Sequence, residues 1–543
     1  MNAALGGTRA APGTKEQTRG CETSILAKMR VLDWLRISVQ VASRALRLNA
    51  PTVAWILLEK TMTDTAFGSS RPASFTRRHF LASAGASIAV ASSPQLRAAR
   101  VPASNRITIG TIGWGMQGPS NTKAFLKLPN CQVVAACDIE TNHLQAALDT
   151  INGHYGNKDC ASYHDFRELL VRTDIDAVMI AVPDHWHAII AVEAAAQKKD
   201  IYGEKPLAHT IAEQQAIVRT VEANRVIWQT GSWQRSLPNF RKAAEIVHSG
   251  LIGNVTHVEV GLPGGHHDFP HTLPAFQERL ASISDKPVDP ATVLPGSPAW
   301  KLAVTDPPAS LDYERWIGPA KMEPYIDVRV YQNWRWNSNT GGGQLLDWIG
   351  HHGDIAHWGL GFDLSGPSEV EGFGEFPDKT AIWNTATKYT INCLYRKEVT
   401  GYANDVKLTI AGGSPAINMG TKWIGAEGWV WVDRGGFDSS NPEWNKWDSV
   451  PESQRKNPLY LSNDHWANFI DCVQSRKPTI APAQVAHHSA IPGHLGLISM
   501  LVGRKIGWDV NNEKIVDDAG ASELLSRPYR APWGGHIYGA ASQ

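Results

Sequence analysis

Arg106-Ile107-Thr108-Ile109-Gly110-Thr111-Ile112-Gly113-Trp114-Gly115-Met116-Gln117-Gly118 is the stretch on which the reading of this chain turns. It opens with a β-branched run of the kind that forms a buried strand. It closes as a G-x-G-x-x-G turn leading straight into a segment, 120–128, with helical composition. Pro119 is tolerated there because it falls in a first turn. Gly113 allows the tight turn, Gly115 lets the backbone approach a pyrophosphate, and Gly118 lets helix and strand pack closely. Met116 lies inside the same turn and is counted with the nucleotide-contacting residues. The helix N-terminus adds unpaired N–H groups for phosphate. A second apolar run, 132–137, ends in Asp138, 20 residues after Gly118. A carboxylate at that place accepts both ribose hydroxyls and repels a 2′-phosphate, so NAD is expected rather than NADP.

The alternation continues. Residues 139–152 and 165–172 are helical in pattern, and 176–182 is a strand followed by Pro183-Asp184-His185-Trp186-His187. An alanine-rich helix, 188–198, precedes a short strand, 200–203, that ends in Glu204-Lys205-Pro206. A helix at 211–224 and a strand at 226–229 complete the series. Strands alternating with helices imply a doubly wound parallel sheet, an α/β architecture. Right-handed crossovers bring all the strand ends to one edge, where ligands of such sheets bind. Gly113, Gly115, Met116, Gly118, Asp138, Pro183, His187, Glu204 and Lys205 are therefore the candidate cofactor-binding residues. Lys205 at that edge can also reach a substrate hydroxyl.

Beyond about residue 252 the pattern changes to alternating strands at 254–261, 369–375, 387–395, 406–411 and 429–432, the mark of a mostly antiparallel α+β domain. A Pro- and Gly-rich excursion, 263–339, is too long to be an idle loop. From Gln344 the chain reads as a helix, on which Asp347 and His351 are four residues apart and share a face. A carboxylate beside an imidazole orients the ring and raises its proton affinity. Abstracting hydride from a carbinol needs such a base. The competing reading is a buried polar pair that fixes the helix. Asp354 lies further along as a supporting residue. His352 points elsewhere on the helical pattern but is retained among the candidate substrate contacts, with Trp233, Arg235, Trp334 and Arg335. Aromatic faces with guanidinium donors suit a polyol, and shielding tryptophans at a domain seam explain them equally well. The expected divisions are 1–103 as an N-terminal extension, 104–235 as the nucleotide-binding domain and 236–543 as the substrate and oligomerisation domain.

The order of the fingerprint, Ala181-Val182-Pro183-x-x-x-His187 and Glu204-Lys205-Pro206 resembles the glucose–fructose oxidoreductase / inositol dehydrogenase / rhizopine catabolism (Gfo/Idh/MocA) family, from about Arg106 onward. The resemblance implies that Lys205 hydrogen-bonds the reacting hydroxyl, that His351 is the acid/base and Asp347 its partner. It implies a small carbohydrate or polyol substrate, a homo-oligomer, and last helices that return to the nucleotide domain. It also implies two net outcomes: a sugar oxidoreductase, or an NAD-dependent glycosidase that oxidises, eliminates, hydrates and reduces. A non-catalytic sugar-binding relative is a third possibility.

Composition narrows the rest. Fifty-two basic residues balance 52 acidic ones, which gives no support to a nucleic-acid partner. Twenty-one Trp against 12 Tyr and 13 Phe point to rigid core anchors or sugar platforms. The six Cys show no paired spacing, and the His-rich pieces at 265–271 and 351–357 fit no zinc pattern, so no metal is expected. Arg77-Arg78, followed by a small-residue apolar run at 82–93, looks like a twin-arginine export signal cleaved between 93 and 103. That run is too short for a comfortable membrane span. Periplasmic or other extracytoplasmic residence follows, with a tightly held cofactor recycled within each turnover. Met62 is a natural start, which makes 1–61 an extension.

Overall fold

A computed structural model describes residues 105–451, 453 and 455–537. The twin-arginine motif at Arg77-Arg78, Met62 and Cys21 lie outside the described residues. Strands β1 (Ile107–Ile112), β2 (Cys131–Cys137), β3 (Ala161–Tyr163), β4 (Ala177–Ile180), β5 (Asp200–Gly203) and β6 (Trp228–Thr230) form one sheet in the order β3-β2-β1-β4-β5-β6. Every pairing in it is parallel. The order reverses at β1, the switch point where such sheets open a crevice. β4 and β5 are buried along their whole length, as expected of strands with helices on both faces.

The short strand β3 was not expected from sequence. The helix Asp184–Ala196 also starts earlier than its alanine-rich core implies, so Asp184 to His187 form its first turn rather than a loop. Helix Ile211–Asn224 begins with a capping box, in which the Thr210 hydroxyl accepts from the Glu213 N–H and the Glu213 carboxylate accepts from the Thr210 N–H.

The second sheet has nine strands: β7 (Val255–Leu262), β8 (Glu369–Glu375), β9 (Lys388–Tyr395), β10 (Val406–Gly412), β11 (Gly420–Gly425), β12 (Gly428–Val432), β13 (Phe437–Ser439), β14 (Ile506–Asp509) and β15 (Lys514–Val516). Their order is β13-β12-β11-β7-β10-β9-β8-β14-β15, and only β7 and β10 run parallel. The core over this sheet joins Val258, Val260, Ile391, Leu408 and Trp423 to Ile349, Ile355 and Leu495. The sheet is thus the platform on which residues 343–360 are seated.

The excursion is not a bare loop. It carries short helices at Leu273–Leu280, Pro298–Ala303 and Tyr313–Ile317, and packs in two small cores, one around Trp336 joined by Trp383 from further along the chain and one around Trp316 and Trp334. It reaches the start of the helix that follows β2 through a backbone bond: Thr141 N–H donates to the Ser310 carbonyl at 2.8 Å. Helix His465–Ser475 returns to the nucleotide-binding sheet, with Phe469 in one core with Phe125 and Tyr202. Ala483 and Ala486, in helix Ala483–Val502, join the core on the other side of that sheet. All the described residues belong to one compact unit, and no helix among them is long and apolar enough to cross a membrane.

Candidate active site

A cavity of about 610 Å³ runs along the carboxyl edge of β1, β2, β4 and β5. At one end lie Gly113, Gly115, Met116 and Asp138. At the other lie Lys205, Trp233, Trp334, Arg335, Asp347, His351 and Arg434. Leu311, Arg315, Trp316 and Tyr331 of the excursion form the opposite wall.

The glycine turn meets the demands of a dinucleotide. Gly113 sits at φ +93°, which favours glycine. A Cβ on Gly118 would strike the Gly113 carbonyl oxygen, whereas one on Gly115 would meet nothing within 4 Å. Gly118 therefore serves helix packing, and Gly115 keeps the floor of the cleft open. Helix Gly118–Leu126 directs its N-terminus there. The Asp138 carboxylate accepts from the Trp114 N–H at 2.6 Å and the Glu140 N–H at 2.9 Å, and lies 3.7 Å from His143. It holds the turn and the following helix together while facing the cleft. These residues fit an NAD-sized ligand.

Glu204 accepts from Asn121 Nδ2 at 2.7 Å, and Asn121 accepts from Trp466 Nε1 at 3.1 Å. Burial raises the Glu204 carboxyl above its ordinary range, against the opposing pull of Asn121 and Lys205. Pro183 lines the cleft, but His187 does not. Its ring nitrogens lie 2.7 Å from the Pro206 carbonyl and 2.9 Å from the Val182 carbonyl, so it staples two strand ends instead of touching a cofactor.

Lys205 Nζ donates to both the carbonyl and the Oδ1 of Asp347, each at 2.8 Å. Arg335 Nε donates to the same Oδ1 at 3.0 Å. Burial works against the charge on Asp347, but Lys205 and Arg335 overcome it and hold the carboxyl below its ordinary value. The expected Asp347–His351 pair is not formed: Asp347 fixes the lysine. The reason is local. Helix Gly343–Trp348 passes into a π-helical turn, Ile349–Gly353, before resuming as Asp354–Leu360, so the four-residue spacing no longer stacks the two side chains. His351 remains in the cleft wall, packed 5.4 Å from Trp348 and 6.4 Å from Trp233 between ring centres. Its Nδ1 has no partner among the described residues. Burial first, then the charges of Lys205 and Arg434, keep its imidazole well below the ordinary histidine range.

Two candidate substrate contacts lie elsewhere. Arg235 is 1% exposed and forks onto Asp354 and Asp363 at 2.7–3.1 Å, a buried tie beneath the site. His352 is fully buried, stacks on Trp348 and lies 3.4 Å from Gln234 Nε2. Trp233, Trp334 and Arg335 do line the cleft, with Arg335 4.4 Å over the Trp334 ring. Sequence reading missed Arg434, Arg315, His143 and Trp533, which also line it. Arg434 lies in a hairpin turn, Arg315 and His143 in helices Tyr313–Ile317 and Thr141–Tyr155, and Trp533 in the tail, and only the fold brings them together. The sequence gives Asp184 no distinct role. It is buried behind the site, pushed up to about 8 by burial, with Oδ1 unpartnered among the described residues.

Residues 107–232 match the oxidoreductase family's NAD-binding Rossmann fold and residues 297–535 its C-terminal alpha/beta domain. The chain belongs to the Gfo/Idh/MocA oxidoreductase family. Curated relatives include a glycosyl hydrolase family 109 protein of Shewanella pealeana, 28% identical over 34% of this chain and 45% of that protein. Inositol 2-dehydrogenase of Salmonella typhimurium is 29% identical over 31% and 48%. The chain thus spans less than half the length of each of these curated relatives. The WlbA dehydrogenase from Bordetella pertussis, solved with NADH and UDP-GlcNAcA, shares the fold over 74% of this chain and 99% of its own, with a TM-score of 0.50 and 15% identity. In this Gfo/Idh/MocA chain the family's Rossmann domain carries the glycine turn, and the C-terminal domain supplies Asp347, His351 and Arg434.

Proposed function

We propose that this cleft binds NAD and interconverts a hydroxyl and a carbonyl on a small sugar or polyol. The observation that carries the reading is the convergence of Lys205 and His351 at the end of the cavity that starts at the glycine turn. Gly113, Gly115, Asp138 and Glu204 would hold NAD, which would supply a hydride acceptor there. Lys205 spends two of its three N–H donors on Asp347 and has a third for a substrate oxygen. It stabilises negative charge on that oxygen as the proton leaves. His351, which lines the cleft and is uncharged at neutral pH, accepts the proton on its imidazole. Asp138 at the ribose end supports NAD over NADP.

Lys205→Ala is expected to retain nucleotide but lose about 10²–10⁴-fold in turnover on the sugars and polyols the wild type converts. A variant that turns over normally would remove Lys205 from the chemistry. We further propose export in folded form with cofactor already bound, motivated by Arg77-Arg78 and the run that follows. Cell fractionation of the full chain against its Arg77→Lys/Arg78→Lys double variant tests this, and equal export of both argues against it. Homo-oligomerisation is proposed from the resemblance and is read by light scattering.

The glycosyl hydrolase relatives favour a second reading, in which the redox step is reversed within each cycle and a glycosidic bond is broken. Release of aglycone from aryl glycosides without net NADH separates it from simple dehydrogenation.

A further inference from the structure

The cations that line the cleft are unequally supplied with partners. Arg167 has Glu193 and Asp165, Lys205 and Arg335 share Asp347, and Arg315 has Asp312. Arg434 feels the Asp347 carboxylate only at a distance and has no ion-pair or hydrogen-bond acceptor of its own among the described residues, and its side chain is exposed to the cleft. It is nevertheless held in place. It sits at the tip of the β12–β13 hairpin, whose turn is closed by the Asp433 N–H donating to the Gly436 carbonyl at 3.0 Å and the Gly435 N–H donating to Asp433 Oδ1 at 2.6 Å. Asn239 Nδ2 anchors the Asp433 carbonyl at 2.7 Å. The guanidinium lies 4.6 Å from the centres of both the Trp233 and Trp348 rings. Stacking on two indoles occupies the faces of the guanidinium and leaves its edge of N–H donors unused.

We propose that the substrate carries a carboxylate close to its reacting carbon and that Arg434 receives it. The planar fork of an arginine matches a carboxylate bidentately. Trp233 and Trp348 also flank His351, so the charged group falls beside the proton acceptor. Asp347 and Glu204 share the cleft and would oppose a dianionic phosphate more than a singly charged carboxylate. The substrate class is then a sugar acid, a uronate or aldonate, rather than a neutral sugar. This inference rests on the carbohydrate oxidoreductase reading above.

The test is calorimetric binding to the NAD-loaded protein of matched pairs: D-glucuronate with D-glucose, D-galacturonate with D-galactose, and D-gluconate with D-glucitol, plus D-glucose 6-phosphate. The acids are expected to bind roughly 10- to 100-fold more tightly than their neutral partners, the range of a charge-assisted hydrogen bond. In Arg434→Gln that ratio should collapse towards one, and in Arg434→Lys, which keeps charge without the fork, it should be intermediate. Retained nucleotide content shows that the variants are folded. Neutral members binding as tightly as acids, no acid binding at all, a preference for the phosphate, or an unchanged ratio in Arg434→Gln would each overturn the proposal. Turnover assays on the same panel separate the two readings. Acid-selective binding without hydride transfer keeps the carboxylate site and rejects the oxidoreductase. Turnover of neutral sugars without acid preference does the reverse.

Discussion

Lys205, Asp347 and His351 were all legible as residue types at plausible positions, but their pairing was not. Sequence spacing joins Asp347 to His351, whereas the fold joins Asp347 to Lys205 and Arg335. The consequence is a histidine kept uncharged through neutrality, first by burial and then by the charges of Lys205 and Arg434. The acid limb of kcat/KM should therefore fall well below pH 6.5, because the base is lost only when His351 is protonated. Arg434→Gln removes one of the repelling charges and should move that limb upward, and a limb that stays in place would show that Arg434 does not act on His351. Arg235 was read as a sugar contact but is a buried ion-pair hub. Arg235→Ala should cost about 3–5 kcal/mol of stability by leaving Asp354 without its cation. Denaturant unfolding checks this. A change confined to KM would contradict it.

The run from 343 to 360 shows what single elements add. Its helical character was legible from Gln344 onward, but the π turn at Ile349–Gly353 was not, because an extra residue in a turn leaves no signature in composition. Gly350 stands within this turn. A Cβ there would lie 3.2 Å from Lys205 Cβ, closer than either side can comfortably accept. Gly350→Ala is expected to lower kcat by about tenfold with smaller effect on nucleotide affinity, since small misplacements at a reacting centre are costly. Steady-state kinetics with nucleotide titration read both quantities, and an unchanged kcat would mean that the turn yields freely. The excursion teaches the complementary lesson. Its length announced a functional role, and its two tryptophan cores explain how 77 residues without strands (263–339) stay packed.

At the scale of the molecule, buried histidines tie the parts together. His185, His352, His357 and His494 are each pushed down to about 3 by burial. The unfolded chain takes up protons on them near pH 6.5 while the folded chain resists until about pH 3. Stability is then unaffected above pH 6.5 and falls as pH drops through that window. Thermal melts from pH 7 to pH 4 should show a steadily lower Tm, and a flat profile would place these rings in contact with solvent.

The sequence by itself determined the parallel nucleotide-binding sheet, its glycine turn, Asp138 at the second strand end, the lysine at the fifth, and the antiparallel character of the second half. Each of these follows from local periodicity or from a motif whose spacing is fixed by backbone geometry. Only the tertiary structure decided that Asp347 holds Lys205, that Arg235, His187 and His352 serve packing, and that Arg434 enters the cleft. Those outcomes depend on how a π turn, a hairpin tip and a long excursion pack against residues distant in sequence. Such contacts are set by burial and charge across the fold, and no local pattern encodes them.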